Sequence, residues 1–265
     1  MHRVVWSLAF LLLLLLVRRQ WAWLAPLVRQ PRVLATFALT ALLLAANWVT
    51  YIWAVSHGHV VDASLGYFMT PLVNVALGYT VLHERLRWPQ WIALGLALLG
   101  VAWLTWQSGQ VPWIALVLAS SFGLYGLLRK IATLGALEGL TLETVILAPA
   151  ALIGLAMLTA RGSGSFASAD PLTMAMLIGI GPITAVPLLL FAAGARRLPL
   201  TTLGIIQYVS PTLQFLLGVL LFQEPFSTPR LIGFGFIWAA LVLYTLDGWR
   251  AARRASPALQ AALRP

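Results

Sequence analysis

The sequence predicts an all-α polytopic membrane protein that is built from two inverted repeats. Of its 265 residues, 61% are hydrophobic and 9% are charged, whereas an average soluble domain has about 25% charged residues. The apolar residues form runs near the roughly 17 to 25 residues that a helix needs to cross a bilayer. A pattern of residues in the first half also recurs in the second half. These observations predict membrane-spanning helices and leave no room for a soluble domain.

Nine apolar segments follow one another along the chain. The first, Val4 to Val17, is short, and basic residues follow it without a small-residue cleavage site, so we interpret it as a retained membrane segment and not as a signal peptide. Eight longer segments follow, joined by short links: Val33 to Val55, Val60 to Leu82, Trp88 to Trp106, Pro112 to Leu128, Thr141 to Ala160, Pro171 to Ala195, Leu200 to Phe222 and Pro229 to Asp247. Each predicts one spanning helix.

A block of residues recurs 140 positions later. Pro71, Asn74, Gly78, Glu84, Pro89, Ile92 and Gly95 are matched by Pro211, Gln214, Gly218, Glu224, Pro229, Ile232 and Gly235, and Leu65-Gly66 is matched two positions short by Leu203-Gly204. Five apolar segments separate the copies, and an odd number of crossings inverts the second copy. Inverted repeats are typical of secondary transporters, in which two oppositely oriented halves give alternating access to a central site. We therefore predict one repeat over residues 1–107 and an inverted one over residues 108–265, which ends in a short cytoplasmic tail.

The repeat also predicts that a helix is missing at the start. Continued backwards, the offset of 140 places the partner of Pro112 to Leu128 before residue 1. We therefore expect five-helix repeats in which the first helix of the first repeat is absent, giving nine helices in this chain. Two explanations stay open: a start codon assigned too late, or a true nine-helix variant. The first predicts that upstream sequence in the same frame encodes about twenty apolar residues.

The net charge of +10 is explained by topology. One side of the membrane collects fourteen basic residues: Arg18, Arg19, Arg29, Arg32, Arg85, Arg87, Arg129, Lys130, Arg196, Arg197, Arg250, Arg253, Arg254 and Arg264. The other side has Arg3, Arg161 and Arg230. Because basic residues accumulate on the cytoplasmic side, the C-terminus is predicted to be cytoplasmic, with the lipid bilayer as partner and no nucleic acid.

Several contiguous blocks carry a family resemblance. They are His2 to Ser7, Asn47-Trp48 with Tyr51 to Val55, Ala63 to Phe68, Pro71 to Asn74, Tyr125 to Lys130, Leu142 to Thr144, Gln207-Tyr208 and Pro211-Thr212. The chain resembles the RarD group of the EamA transporters, within the drug/metabolite transporter superfamily, from residue 2 to about residue 248. The resemblance implies a ten-helix carrier of the bacterial inner membrane, made of two inverted five-helix repeats, that exports a drug such as chloramphenicol or a metabolite. The absent first helix departs from the family pattern and puts transport by this chain in question.

Two prolines at equivalent places mark a candidate substrate path. Pro71 and Pro211 each leave the carbonyl four residues earlier without its helical donor, which frees the backbone oxygens of Tyr67 and Gln207. Asn74 and Gln214 lie three residues after the prolines on the same helical face. A packing kink with polar side chains bonded to neighbouring helices is the alternative. The full set of path candidates is Asn47, Trp48, Tyr51, Tyr67, Pro71, Asn74, Tyr125, Gln207, Tyr208, Pro211 and Gln214.

Ionisable residues within spanning helices are costly and are therefore candidates for function. Glu143 lies on the same predicted side as Arg129 and Lys130, so a charged gate is one reading and ordinary positive-inside anchoring is the other. Asp62 and Glu143 are the only acids available to couple transport to protons, and a helix-terminal acid is the simpler account of Asp62. Glu84 and Glu224 lie in links and are predicted to cap or tether helix ends.

Other function classes find little support. The chain has no phosphate-binding loop motif, so ATP hydrolysis by that route is excluded, and no cysteine, which excludes disulfides and thiolate metal sites. His57 and His59 lack companion ligands, so neither a metal site nor a cofactor is predicted. The alternatives to a carrier are a non-transporting or partner-dependent membrane subunit and an intramembrane enzyme for lipid-linked substrates. A homodimer is an assembly that the sequence permits.

Overall fold

The computed structural model describes residues 1–27, 29–57, 59–108, 113–161, 170–213 and 228–262, with the side chains of residues 60–62, 64, 108, 228, 230 and 252–262 outside the description. These ranges contain ten helices and no strand: α1 (His2–Arg18), α2 (Leu24–Leu27), α3 (Pro31–Ser56), α4 (Val60–Thr80), α5 (Trp88–Ser108), α6 (Trp113–Ile131), α7 (Ala136–Ala160), α8 (Pro171–Arg197), α9 (Leu200–Gln207) and α10 (Thr228–Ala262). The predicted all-α class is confirmed. The inverted repeat stays a prediction.

Six of the described helices are long and apolar enough to cross a bilayer. They are Pro31–Ser56, Trp88–Gln107, Trp113–Ile131, Ala136–Ala160, Pro171–Arg197 and, within α10, Leu231–Ala251. Large apolar side chains on these helices stay exposed, among them Ile183 at 73% and Leu190 at 69%. Such extensive apolar exposure suits contact with lipid, because helices satisfy all of their backbone groups internally. The chain is a multi-pass membrane protein.

Several helix boundaries differ from the sequence prediction, and the last helix extends to Ala262 instead of Asp247. The short helix α2 was not predicted, and α7 begins at Ala136 instead of Thr141. The segment predicted as one helix from Leu200 is interrupted after α9, because Tyr208 forms a turn in which its N–H donates to the carbonyl of Ile205 over 3.1 Å. Helix resumes at Val209 and continues at least to Leu213. Pro211 has no N–H to donate to the carbonyl of Gln207, which accounts for the break at this point.

Contacts within the chain define two compact units. The first unit comprises Met1–Ala46 and Tyr125–Leu198, and in it α1 packs on α7 and α8. Ser7 on α1 donates a hydrogen bond to the carbonyl of Gly181 on α8 over 3.1 Å. A β-carbon at Gly181 would overlap the backbone of Trp6. The missing side chain at position 181 is therefore what lets α1 approach α8 so closely.

The second unit comprises Asn47–Leu124 and Pro199–Pro265. Its helices α5 and α10 share a seam of small residues, in which a β-carbon at Gly100 would lie 2.7 Å from the carbonyl oxygen of Gly233. Around this contact, Ala93, Ala97, Ile237 and Ala240 are completely buried. Ala93 and Gly233, Ala97 and Ile237, and Gly100 and Ala240 are each separated by 140 positions, so the two helices use equivalent positions of the predicted repeat. A pseudo-two-fold axis through the seam would produce this pattern.

Glu84 caps a helix in the second unit. Its carboxylate accepts hydrogen bonds from the backbone N–H groups of Leu200 over 2.6 Å and of Thr201 over 2.9 Å, which are the first two residues of α9. A negative charge at a helix N-terminus pairs orphan N–H groups and complements the helix dipole. The structural role predicted for Glu84 is therefore found, while Glu224 lies outside the described residues.

The seam predicts opposite effects of one substitution at two glycines of the same helix. We expect Gly100→Ala to lower the free energy of unfolding by about 1–3 kcal/mol, because its methyl group would press on the backbone of α10. Gly95→Ala is the matched control, since nothing lies within 4 Å of a β-carbon there, and it should raise stability by roughly 0.5–1 kcal/mol. Thermal unfolding of the purified variants in detergent measures both. Equal effects of the two substitutions would contradict the seam.

Candidate functional site

A fully buried carboxylate organises the first unit. Glu143 on α7 accepts a hydrogen bond from Thr40 on α3 at Oε1 over 2.7 Å and another from the hydroxyl of Tyr125 on α6 at Oε2 over 3.2 Å. Its Oε1 also lies 3.7 Å from Nη1 of Arg129, and both charged side chains are 0% exposed. We call Glu143, Thr40, Tyr125 and Arg129 the Glu143 network. It holds three helices through one acidic group.

Arg129 is buried without full hydrogen bonding. Its Nη2 donates to the carbonyls of Gly135 over 3.4 Å and Ala136 over 2.9 Å, and its guanidinium lies 5.4 Å from the centre of the Phe37 ring. Nε and Nη1 have no hydrogen-bond partner. A buried ion pair repays its desolvation only when the remaining hydrogen bonds are satisfied. The pair of Arg129 and Glu143 is therefore costly to maintain, which is a feature of functional charges in membrane helices.

Lys130 and Arg196 exchange contacts between the ends of α6 and α8. Nζ of Lys130 donates to the carbonyls of Ala195 over 3.3 Å and Leu198 over 2.5 Å at the end of α8. Nη1 of Arg196, on α8, donates to two carbonyls that follow the end of α6. They are the carbonyl of Ala132, over 3.3 Å, and the carbonyl of Leu134. Cations stabilise helix C-termini because they pair orphan carbonyls and complement the dipole. Lys130 thus contacts the end of α8.

An uncharged polar cluster lies between α4 and α9 in the second unit. Nδ2 of Asn74 donates to Oε1 of Gln207 over 2.5 Å. Two polar atoms of the cluster are buried without a hydrogen-bond partner, namely Oδ1 of Asn74 and the hydroxyl of Tyr208. We call Asn74, Gln207 and Tyr208 the Asn74 cluster. The hydrogen bond brings together Asn74 and Gln207, two of the residues predicted to line a substrate path.

Two glycines make room for the Asn74 cluster. A β-carbon at Gly204 on α9 would lie 2.8 Å from the carbonyl oxygen of Pro71 and 3.0 Å from Cβ of Asn74. A β-carbon at Gly123 on α6 would lie 2.5 Å from Cγ1 of Val73 and 3.6 Å from Oδ1 of Asn74. The cluster is therefore close-packed on both sides by backbone, and the unpaired oxygen of Asn74 lies near a position that carries no side chain.

Aromatic rings pack in the same apolar core as Tyr208. Phe68 and Phe234 meet edge to face with ring centres 4.8 Å apart, and Phe234 lies 5.8 Å from Trp238. Phe68, Phe234 and Tyr208 are buried and Trp238 packs against them. Nε1 of Trp238 donates to the hydroxyl of Thr212 over 3.1 Å. Tyr208, one of the predicted path residues, is thus part of a packed aromatic core.

The remaining path candidates divide into paired, packed and undescribed residues. Nδ2 of Asn47 donates to the carbonyl of Leu118 and to the hydroxyl of Ser121, both over 3.0 Å, and so ties α3 to α6. Tyr51 and Tyr67 meet edge to face at 5.7 Å. Pro71 lies inside α4, Pro211 follows the break after α9, and both are buried, while Trp48 is half-buried. Gln214 lies outside the described residues, as does the side chain of Asp62, so the predicted pairing of Asn74 with Gln214 stays a prediction.

Three residues of the site were not predicted. Thr40 bonds Glu143, Phe37 faces Arg129, and Gly139 leaves the space in which the guanidinium and the Phe37 ring lie, since a β-carbon there would overlap both. Thr40 is one of three threonines on α3, and nothing in the local pattern separates it from Thr36 or Thr50. Only the long-range packing of α3 on α7 identifies it.

Comparison with known proteins places this chain among membrane transporters. Residues 1–106 match the EamA-like transporter family. The chain is 48% identical over 261 residues to Protein RarD of Streptomyces exfoliatus, covering 98% of this chain and 83% of the relative. It is 37% identical over 257 residues to the chloramphenicol-sensitive protein RarD of Pseudomonas aeruginosa, which covers 95% of this chain and 84% of the relative. One solved structure aligns with a TM-score of 0.65 and 18% identity. The alignment covers 94% of this chain and 87% of the solved chain, which supports the fold.

The Glu143 network predicts a strong and specific loss of stability. We expect Glu143→Ala to lower the free energy of unfolding by about 3–5 kcal/mol, because it leaves Arg129 as an uncompensated buried charge. The double variant Arg129→Met/Glu143→Met should be less destabilised than Glu143→Ala alone. Glu138→Ala, which changes an acid in the first turn of the same helix, is the control and should cost less than about 1 kcal/mol. Thermal unfolding in detergent tests this, and equal losses for Glu143→Ala and Glu138→Ala would refute it.

Proposed function

This chain belongs to the RarD group of the EamA-like transporter family, and on that premise we propose that it is a secondary carrier that exports a small organic molecule by alternating access. The membership supports a membrane transporter. The substrate, the direction and the mechanism are our proposal. The placement in a bacterial inner membrane with a cytoplasmic C-terminus rests on the fourteen basic residues of one predicted side.

The observation that carries the proposal is the presence of polar groups deep inside apolar helices. In the first unit a completely buried ion pair joins α6 and α7, and in the second unit an amide and a hydroxyl are buried with unpaired atoms. In membrane proteins such groups are rare, face the protein interior and mark substrate or ion pathways. We propose that the path candidates named above serve the substrate and that the Glu143 network serves coupling.

The name of one relative suggests a first substrate to try. A Pseudomonas aeruginosa relative is called a chloramphenicol-sensitive protein. That name describes the relative alone, and it supports our choice of chloramphenicol as a probe for this chain. We propose that the physiological substrate is a small organic metabolite or a drug.

We propose proton coupling through Glu143, and the geometry of Thr40 supports it. The Thr40 hydroxyl has one proton and two acceptors in reach, Oε1 of Glu143 at 2.7 Å and the carbonyl of Phe37 at 3.0 Å. When Glu143 is ionised, Thr40 donates to it. When Glu143 carries a proton, that proton can be donated to Thr40, whose own proton then goes to Phe37. Both protonation states are thus hydrogen-bonded without movement of a helix.

Two alternatives from other classes remain distinct proposals. A non-transporting or partner-dependent subunit would need a different membrane protein as its partner. An intramembrane enzyme would need His, Asp, Glu or Ser gathered at one membrane face. Within the described ranges no three His, Asp or Glu side chains come together in a metal-binding group. Transport by the purified protein alone separates the carrier from both alternatives.

The carrier proposal predicts saturable transport without a partner. We expect purified protein in liposomes to accelerate the exchange of labelled chloramphenicol across the membrane above the rate in empty liposomes, because a carrier needs only its own alternating conformations. Liposomes with heat-inactivated protein are the control. If exchange stays at the control rate for chloramphenicol and for a panel of other small organic molecules, the carrier proposal fails and the partner-dependent alternative replaces it.

The coupling proposal predicts a loss of gradient dependence. We expect Glu143→Gln to lose acceleration of exchange by an imposed proton gradient, because glutamine keeps the hydrogen-bonding shape and cannot titrate. Exchange is measured with and without a pH difference across the liposome membrane. Glu138→Gln is the matched control and should keep the dependence. If Glu143→Gln also keeps it, Glu143 is not the coupling acid.

A further inference from the structure

The link between α1 and α3 is an exposed and strongly basic segment of the first unit. Residues 18–27 and 29–32, which we call the basic link, carry four arginines: Arg18, Arg19, Arg29 and Arg32. We infer that the basic link docks the anionic headgroups of membrane phospholipids and thereby stabilises the Glu143 network of the same unit. This role is independent of the proposed function, because a multi-pass membrane protein meets lipid whether or not it moves a substrate.

The arginines of the basic link have no partner within the described part of the chain. All four side chains are exposed, and none of them makes a hydrogen bond or a salt bridge to a described residue. Local pairing is also excluded by the sequence, whose first acidic residue is Asp62. Arg87 in the second unit shows the contrasting case, since it pairs with Asp247 at 2.6 Å. Four positive charges are thus available to an external partner.

Exposed apolar side chains identify the partner as lipid. The basic link precedes α3, which is long and apolar enough to cross a bilayer, and in it Trp21 and Leu24 are exposed at 38% and 41%. Tryptophan is enriched at the level of the headgroups, where the arginine fork can bind lipid phosphate. Clusters of basic residues beside a spanning helix attract anionic lipid surfaces. A soluble anion would use the arginines alone and would leave Trp21 and Leu24 in water.

The inner side of the basic link packs into the surroundings of the Glu143 network. Leu27 is buried in one apolar cluster with Phe37 and Leu142. Phe37 lies over the guanidinium of Arg129 at 5.4 Å, and Leu142 directly precedes Glu143 in α7. Anchoring of the basic link at the membrane surface therefore restrains the apolar contacts that surround the buried ion pair.

Arg19 occupies a backbone position that favours glycine. It ends α1 with a φ of 52°, and its N–H donates to the carbonyl of Leu16 over 3.2 Å. This left-handed conformation is strained for a residue with a β-carbon, and glycine is the usual residue after the last turn of a helix. The backbone alone would thus favour glycine at position 19, whereas lipid docking accounts for a charged residue there.

Two lipids that differ in headgroup charge test the docking. The full-length protein in detergent micelles is titrated with phosphatidylglycerol or with phosphatidylcholine of the same acyl chains. We expect phosphatidylglycerol alone to raise the unfolding temperature and to slow hydrogen–deuterium exchange in the peptides that contain Phe37 and Glu143. Both effects should weaken as salt is added, because ions screen exposed charges.

Charge variants identify the residues that dock the lipid. Each arginine near an anionic surface contributes about fivefold to binding, so Arg29→Gln/Arg32→Gln should need roughly 25-fold more phosphatidylglycerol for the half-maximal effect. The matched control is Arg85→Gln/Arg250→Gln, which removes two exposed charges of the second unit and should keep the wild-type response. Arg19→Gly should unfold at the same or a higher temperature in phosphatidylcholine, because its backbone strain is relieved, and should still need more phosphatidylglycerol than the wild type.

Leu27→Ala separates docking from its effect on the Glu143 network. This variant keeps all four arginines, so native mass spectrometry should detect as much bound phosphatidylglycerol as on the wild type. The lipid should no longer slow hydrogen–deuterium exchange around Glu143, because the apolar contact that transmits the restraint is shortened. If the lipid protects Glu143 in Leu27→Ala as strongly as in the wild type, the connection to the network is overturned.

Three outcomes overturn the docking surface itself. Phosphatidylcholine protects as well as phosphatidylglycerol, or Arg29→Gln/Arg32→Gln keeps the wild-type response, or inorganic phosphate at matched ionic strength gives the same protection as the lipid. The last outcome assigns the arginines to a soluble anion. All of these measurements are made without a transported molecule, so their failure leaves the proposed function standing, and failed transport in liposomes leaves the docking surface standing.

Discussion

The absence of water from the bilayer core is the constraint on which this structure depends. A polar group there must find its partner inside the protein, and a charge must find both a counter-charge and hydrogen bonds. The Glu143 network meets this demand for the carboxylate through Thr40, Tyr125 and Arg129, but it leaves two guanidinium nitrogens of Arg129 without hydrogen bonds. In the first unit the Glu143 network links α3, α6 and α7, and an apolar cluster that includes Phe37 and Leu142 also joins α3 to α7.

The close approach of helices depends on what glycine leaves out. At Gly139 the missing side chain admits the guanidinium of Arg129, at Gly204 it admits the backbone of α4, and at Gly100 it admits the backbone of α10. Without a hydrophobic driving force between helices in lipid, such close contacts carry much of the packing energy. Gly95 has open space around it and shows that a glycine in the same helix need not serve packing. The role of a glycine is thus set by its partner helix and cannot be taken from its own segment.

Local features of the structure could be predicted well from the sequence, and long-range contacts could not. Apolar runs without charge predicted the spanning helices, and Glu84 was correctly assigned to a helix end because an acid in a short link has few other roles. The boundary at Gln207 was missed, although Pro211 carried the signal, since the break falls four residues before the proline. Thr40 could not be found, because its partner lies 103 positions away and its neighbours on α3 look the same. Likewise, repeat spacing matched Asn74 to Gln214, which lies outside the described residues, and it gave no sign of the hydrogen bond between Asn74 and Gln207.

Reciprocal capping by basic side chains makes the ends of α6 and α8 depend on each other. Lys130 serves the carbonyls of α8 and Arg196 serves those that follow α6, so each helix supplies the cap of the other. If the ends separate, both sets of carbonyls lose their partners in the same event. Movement of one of these helix ends therefore changes the hydrogen bonding of the other, so the two ends act as a single coupled unit.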